Sequence, residues 1–126
     1  MNNIAIAQTA FDYFSQGLAS GEWQNFLEIL TEDFTFSFPI EPFKSNNVGK
    51  EKAEIFFNYV SQVFATGLSL TVERITSNDT TVVFEVESQG LMFGKPYNNR
   101  AAISFDVRGN LICGYREYLS VIYRNY

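Results

Sequence analysis

The chain reads as an α+β domain in which three N-terminal helices cover a cone-shaped, curved antiparallel sheet. Three observations lead there. Apolar residues recur at spacings of three and four through most of the N-terminal half, which is the helical period. After Gly67 the period falls to two, the period of strands with one buried face. The order is helix, helix, strand, loop, helix, then a four-strand meander, so helices and strands segregate instead of alternating. The 126 residues form one domain, residues 1–126. That length buries a core without disulfide or metal staples.

Each element has its own signal. Ile4, Ala7, Phe11, Phe14 and Leu18 mark a helix over residues 4 to 19, which Ser20-Gly21 ends. Trp23, Phe26, Leu27 and Leu30 mark a second over 22 to 30, with Ser20 placed to cap it. Phe34, Phe36 and Phe38 then alternate with Thr35 and Ser37 until Pro39, a strand with one aromatic face. Pro42, Asn46, Asn47 and Gly49 mark a loop. Residues 50 to 64 return to helix, burying Ala53, Phe56, Phe57, Val60, Val63 and Phe64. Strands follow over 68 to 76, 81 to 89 with a continuation or bulge to 93, 98 to 107, and 111 to 123. The turns between them carry Ser77-Asn78-Asp79, Gly94-Lys95-Pro96 and Arg108-Gly109-Asn110.

Composition removes several functions. With no histidine, the chain lacks the commonest general base and metal ligand, and Ser-His-Asp and Cys-His chemistry are excluded. The single Cys113 forms no internal disulfide and no cysteine cluster for a metal. Neither a metal site nor a cofactor is expected. Nine basic residues are scattered in a chain of net charge −5, which argues against nucleic acid and against an anionic membrane surface. Nothing is long and apolar enough to span a membrane, and Met1-Asn2-Asn3-Ile4-Ala5 lacks the pattern of a signal peptide. A cytoplasmic location is the default expectation. Thirteen Phe and seven Tyr supply a core and the wall of an apolar pocket.

The order of elements, with Ala19-Ser20-Gly21-Glu22-Trp23, Leu30-Thr31-Glu32-Asp33-Phe34, Val48-Gly49-Lys50-Glu51 and Tyr115-Arg116-Glu117-Tyr118, resembles the nuclear transport factor 2-like superfamily. Within it the chain looks most like the SnoaL-like polyketide cyclase and ketosteroid isomerase group, over roughly residues 5 to 122. The resemblance implies a cone with an open end and a homodimer through the outer sheet face. It does not imply one reaction, because this fold hosts isomerases, cyclases, dehydratases, epoxide hydrolases and binders. The positions where steroid isomerases carry their base and two oxyanion donors are Phe38, Phe14 and Ala101 here. All three are apolar, so ketosteroid proton shuttling is not supported. The epoxide hydrolase positions look like Asn99, Ala101 and Glu117, which keeps one carboxylate of that set.

Strand parity divides the side chains into two faces, and the resemblance puts one of them inside the cone. In the last strand the inner residues are Cys113, Tyr115, Glu117 and Leu119, leaving Ile112 and Tyr118 outside. In the preceding strands they are Asn99, Ala101, Ile103 and Phe105, and Val82, Phe84, Val86 and Ser88. The candidate ligand-binding set is Tyr13, Phe14, Phe36, Phe38, Phe56, Phe84, Asn99, Ala101 and Tyr115. Glu117 is the candidate catalytic acid or base, because a carboxyl isolated in apolar surroundings rises toward neutrality. Its structural alternative is a hydrogen bond to Tyr13, Tyr115 or Asn99 that orders the interior. Glu85, Glu87, Arg100 and Arg116 face outward, where cross-strand pairing accounts for them. Three functions follow: a binder of a small lipophilic molecule, a cyclase-, isomerase- or dehydratase-type enzyme using Glu117, and an interaction module whose interior is filled by its own rings. A cavity below about 300 Å³ would favour the last.

Overall fold

The computed structural model describes residues 2–121. Helix α1 (Asn3–Ser20) begins where the Asn2 side chain accepts the Ile4 N–H at 2.8 Å and ends on Gly21 at φ 81°. Its buried face carries Ala7, Ala10, Phe11, Phe14 and Leu18. Gly17 lies on the same face for a different reason. A Cβ there would come within 2.3 Å of the Trp23 ring, so the missing side chain is the slot in which Trp23 sits.

Helix α2 is only Gln24–Glu28, and strand β1 (Leu30–Phe38) starts four residues before the aromatic alternation shows it. Ser20 does not cap α2. Its hydroxyl donates to the Gln16 carbonyl at 2.8 Å, closing α1 instead. The segment read as a loop contains strand β2 (Ser45–Val48), antiparallel to β1. It is pinned by Asn47, which is buried and donates to the carbonyls of Phe43 at 2.9 Å and Ser45 at 3.3 Å. Helix α3 (Lys50–Val63) follows, then β3 (Leu68–Ser77), β4 (Thr81–Met92), β5 (Lys95–Arg108) and β6 (Leu111–Leu119). The turn expected over 94 to 96 shortens to Phe93 and Gly94, because Lys95, Pro96 and Tyr97 pair with β4. Residues 122 and 123, expected in the last strand, lie outside the described residues.

The six strands form one curved, unclosed sheet in the order β2-β1-β6-β5-β4-β3. The meander β3–β6 is antiparallel as expected. The pair β1–β6 is parallel, which departs from an all-antiparallel sheet. Parallel neighbours need a long crossover, and here everything from β2 to β5 supplies it. Besides a register shift between Leu30 and Thr35 where β1 meets β6, two bulges break alternation in the meander. Glu73 is the extra residue between the pairs Val72↔Val86 and Arg74↔Glu85. Cys113 is the extra residue between Asp106↔Gly114 and Val107↔Ile112. The second bulge corrects the assignment of Ile112 to the outer face: the inserted residue reverses parity, and Ile112 is fully buried in the core.

The helices close over the concave face around a cluster of rings. Phe14 sits at its centre, with ring centroids 5.5 Å from Phe26, 5.6 Å from Phe105 and 5.5 Å from Tyr115, and an edge-on contact to Phe57 at 6.0 Å. Such tilted and edge-to-face packings add to the area the rings bury.

Candidate functional site

The Phe cluster fills the narrow end of the cone and leaves the wide end open. A cavity of about 230 Å³ lies there, between α3, the end of β1 with the segment after it, and the inner faces of β4, β5 and β6. Alternation on β6 brings Tyr115, Glu117 and Leu119 to one wall, and β5 adds Ala101 and Ile103. Helix α3 contributes Phe56, Phe57, Val60 and Val63, whose spacing of three and four forms one stripe. Ile40, Glu41, Phe43, Tyr59 and Phe93 complete the wider end.

The polar groups are few. The Tyr115 hydroxyl donates to the Glu117 carboxylate, a contact that residues i and i+2 of one strand face make naturally. Among the described residues this is the only hydrogen bond of the Glu117 carboxyl, so its second oxygen is free toward the cavity. Burial pushes the Glu117 carboxyl up to about 7, and the Tyr115 hydroxyl acts against that shift by stabilising the charged form. Part of the Glu117 surface remains accessible because the side chain borders the cavity, yet protein surrounds the carboxyl closely enough to desolvate it. Tyr115 is held well above its ordinary value, first by burial and then by the adjacent Glu117 charge. It therefore stays a donor at any ordinary pH. Ser88 gives its proton to the Asn99 carbonyl at 3.2 Å. The Tyr97 hydroxyl accepts from the Asn99 side chain at 3.1 Å.

The sequence-derived set divides. Phe14, Phe38, Phe56, Ala101, Tyr115 and Glu117 line the cavity. Four others lie elsewhere. Phe36 points inward but is covered by Phe56 at 5.0 Å and Phe34 at 6.0 Å. Phe84 is stacked on Phe11 at 4.4 Å, at the filled end. Tyr13 is half-buried at the edge of the core. Asn99 has the right parity but is tied elsewhere, its side-chain amide N–H donating to the Tyr97 hydroxyl and its side-chain carbonyl accepting the Ser120 hydroxyl. Of the three partners considered for Glu117, Tyr115 is the one the structure provides. Sequence reasoning missed Ile40, Glu41 and Phe43, because residues between strands carry no periodicity to place them. It also missed Phe93, which has φ 49° and is 69% exposed beside the cavity.

The outward charges pair, though not all as expected. Glu85 pairs with Arg74 at 3.0 Å, and Arg100 with the bulged Glu73 at 3.3 Å. Arg116 turns to Asp106, whose carboxylate also accepts from Thr81 at 2.7 Å. Glu87 makes no ion pair among the described residues. No group of three potential metal ligands occurs among the described residues, and no described helix is long and apolar enough to cross a membrane.

A SnoaL-like domain model matches residues 11–115. The structure of a nuclear transport factor 2-like protein from Anabaena variabilis superposes with a TM-score of 0.92 at 57% identity, covering 94% of this chain and 90% of that one. A protein of unknown function with a cystatin-like fold from Xanthomonas campestris gives 0.80 at 15% identity, covering 96% and 92%. A proposed isomerase from Bacillus subtilis gives 0.78 at 23% identity, covering 95% and 90%. The last two share the fold alone. No curated protein matches the sequence.

Proposed function

We propose, for a chain that belongs to the SnoaL-like family of the nuclear transport factor 2-like superfamily, that it binds a small, mostly apolar organic molecule at the wide end of the cone. The observation that carries this reading is an aromatic-walled cavity whose deep polar point is the Tyr115–Glu117 pair. Sites for small molecules share that form: an apolar wall that drives binding and few polar groups that orient. The volume of about 230 Å³ lies under the range of roughly 300–1,000 Å³ for drug-sized ligands. By the threshold set above, that volume counts toward an interior filled by its own rings, here Phe36, Phe84 and the cluster around Phe14; the binding reading rests on the space that remains, which admits only an occupant smaller than a polycyclic lipid.

A second reading rests on one further observation. A carboxyl titrating at about 7 exchanges protons readily at neutral pH, as a general acid or base must. Glu117 would move the proton while the Tyr115 hydroxyl steadied its charged form, as in an isomerase or dehydratase. A thermal-shift panel of compact aromatic and alicyclic compounds tests the first reading. Stabilisation that saturates with concentration is expected, and its absence across a broad panel would overturn the reading. With a binding compound in hand, Glu117→Gln separates the two. A catalyst loses turnover and keeps the domain folded, whereas a pure binder never showed turnover.

A further inference from the structure

The charge and proton inventory of the cavity narrows the occupant. Taking the binding reading above as premise, we propose that the cavity takes a compact organic cation, a protonated amine on an apolar body, with its ammonium group against Glu117.

Three features of the wall point to this. The charged residues on it are both carboxylates, Glu117 at the deep end and Glu41 toward the outside, and no Lys or Arg lines it. The chain has no His and carries a net charge of −5, so the wider field also favours a cation. A carboxylate-bearing ligand would enter with no counter-charge, which a desolvated site penalises heavily.

The hydroxyl protons at the deep end are already given away. Tyr115 donates to Glu117 and Ser88 donates to the Asn99 carbonyl. What remains beside that pair is acceptor, the free oxygen of ionised Glu117, although the Tyr97 and Tyr59 hydroxyls elsewhere on the wall keep their protons. Acceptors select a donor, and a charged N–H donor makes the stronger bond.

Rings share the rest of the wall with aliphatic side chains. Phe56 sits 5.2 Å from Phe38 and 5.0 Å from Phe43, and Phe43 lies 5.6 Å from Tyr59. On the other side Phe64 packs 5.3 Å from Tyr97. Ring faces attract a cation and lose nothing to an apolar body.

The proposal carries a proton linkage of definite sign. The titratable groups that border the cavity are Glu117 and Tyr115 from β6, Tyr97 from β5, Tyr59 from α3 and Glu41 from the segment after β1. Because Glu117 titrates at about 7, most of it is neutral at pH 6, and seating an ammonium releases that proton to solvent. A primary amine, like a lysine, stays protonated through pH 8. The binding-competent fraction therefore rises about tenfold from pH 6 to pH 8, and apparent affinity rises with it.

The test is an NMR titration of the full chain with three molecules of one skeleton: 2-phenylethylamine, 2-phenylethanol and phenylacetate, at pH 6 and pH 8. The amine is expected to bind tightest at pH 8 and about tenfold more weakly at pH 6. Phenylacetate is expected to bind weakest at both. Glu117→Gln should remove the amine's advantage and its pH dependence. If the alcohol or phenylacetate matches the amine at pH 8, or if amine affinity falls as pH rises, the cation assignment is overturned and the cavity reading stands. If none of the three binds in the millimolar range, the cation assignment is overturned, while the cavity reading falls only if the broad thermal-shift panel also finds no binder.

Discussion

Replacing Glu117 by Gln tests the central physical claim, that a carboxyl is held in a desolvated site at a net penalty. The ordinary carboxyl value is 4.5, and burial raises that of Glu117 to about 7 in the folded chain. A group whose folded value lies above its unfolded value binds more protons when folded. Its stabilising effect is complete below pH 4.5 and is lost as pH rises through 7. The full penalty is about 2.5 units at 1.36 kcal/mol each, about 3.4 kcal/mol, and about 2.5 kcal/mol of it falls between pH 5 and pH 8. Gln has nearly the same shape and no charge. It should therefore leave stability at pH 5 within about 1 kcal/mol and raise it at pH 8 by about 2 kcal/mol, relative to wild type. The residual loss is the weaker bond from Tyr115. Urea unfolding at both pH values measures this, and for a domain of this size the pH 8 midpoint should rise by about 1 M. Comparing wild type with variant cancels the titration of every other group. If the two chains keep the same stability difference at pH 5 and pH 8, the carboxyl is solvated and the reasoning is wrong.

Other perturbations have equally definite signs. Gly17→Ala places a Cβ within 2.3 Å of the Trp23 ring, so despite better helix propensity it should destabilise by about 1–3 kcal/mol and shift Trp23 fluorescence. Asn47→Ala strips its donors from the Phe43 and Ser45 carbonyls; urea unfolding should report a loss of about 1–3 kcal/mol. The Arg116 hydrogen bond holds Asp106 below the usual carboxylate range, so its stabilising contribution exists above about pH 4 and fades as pH falls through the lowered value. Asp106→Asn should flatten that acid limb and lower stability at pH 7 by about 1–2 kcal/mol, the pair being partly solvated.

Much of this structure is legible in the sequence because burial imposes periods. The Phe34, Phe36 and Phe38 alternation and the stripe from Phe56 to Val63 needed no partner to be read. The inward set Val82, Phe84, Val86 and Ser88 of β4 is likewise buried in full. What the sequence conceals is non-local. Strand β2 has no apolar period because its four residues are three polar ones and an exposed Val48, and only pairing with β1 makes it a strand. The parity of Ile112 fails because a bulge at Cys113 is fixed by the register of β5 against β6 and not by residue type. Parity also says that a side chain points inward without saying how deep it lies. Phe36 and Phe84 face inward as expected, yet they pack into the filled end and never reach the cavity. Depth depends on how the sheet curves, which is a property of six strands together.

That difference in depth explains why one strand carries both the core and the site. Along the inner face of β6, Ile112 and Tyr115 are fully buried, while Glu117 and Leu119 border the cavity. Successive inward positions thus move from packed interior at Ile112 to lined space from Tyr115 onward. Glu117 occupies the position at which protein still desolvates the carboxyl but a void lies beside it. Two residues earlier the same carboxyl would stand among the rings of Phe14 and Phe105, where burial is fuller and the desolvation penalty larger. Two residues later it would approach the strand end and solvent, where its titration would be ordinary. Local pattern and global fold disagree here, since an apolar residue would suit the inner face of β6 better. Such disagreements concentrate where a chain gives up stability for chemistry. A stability gain of Glu117→Gln at pH 8 would therefore support the reading that position 117 serves what the cavity admits.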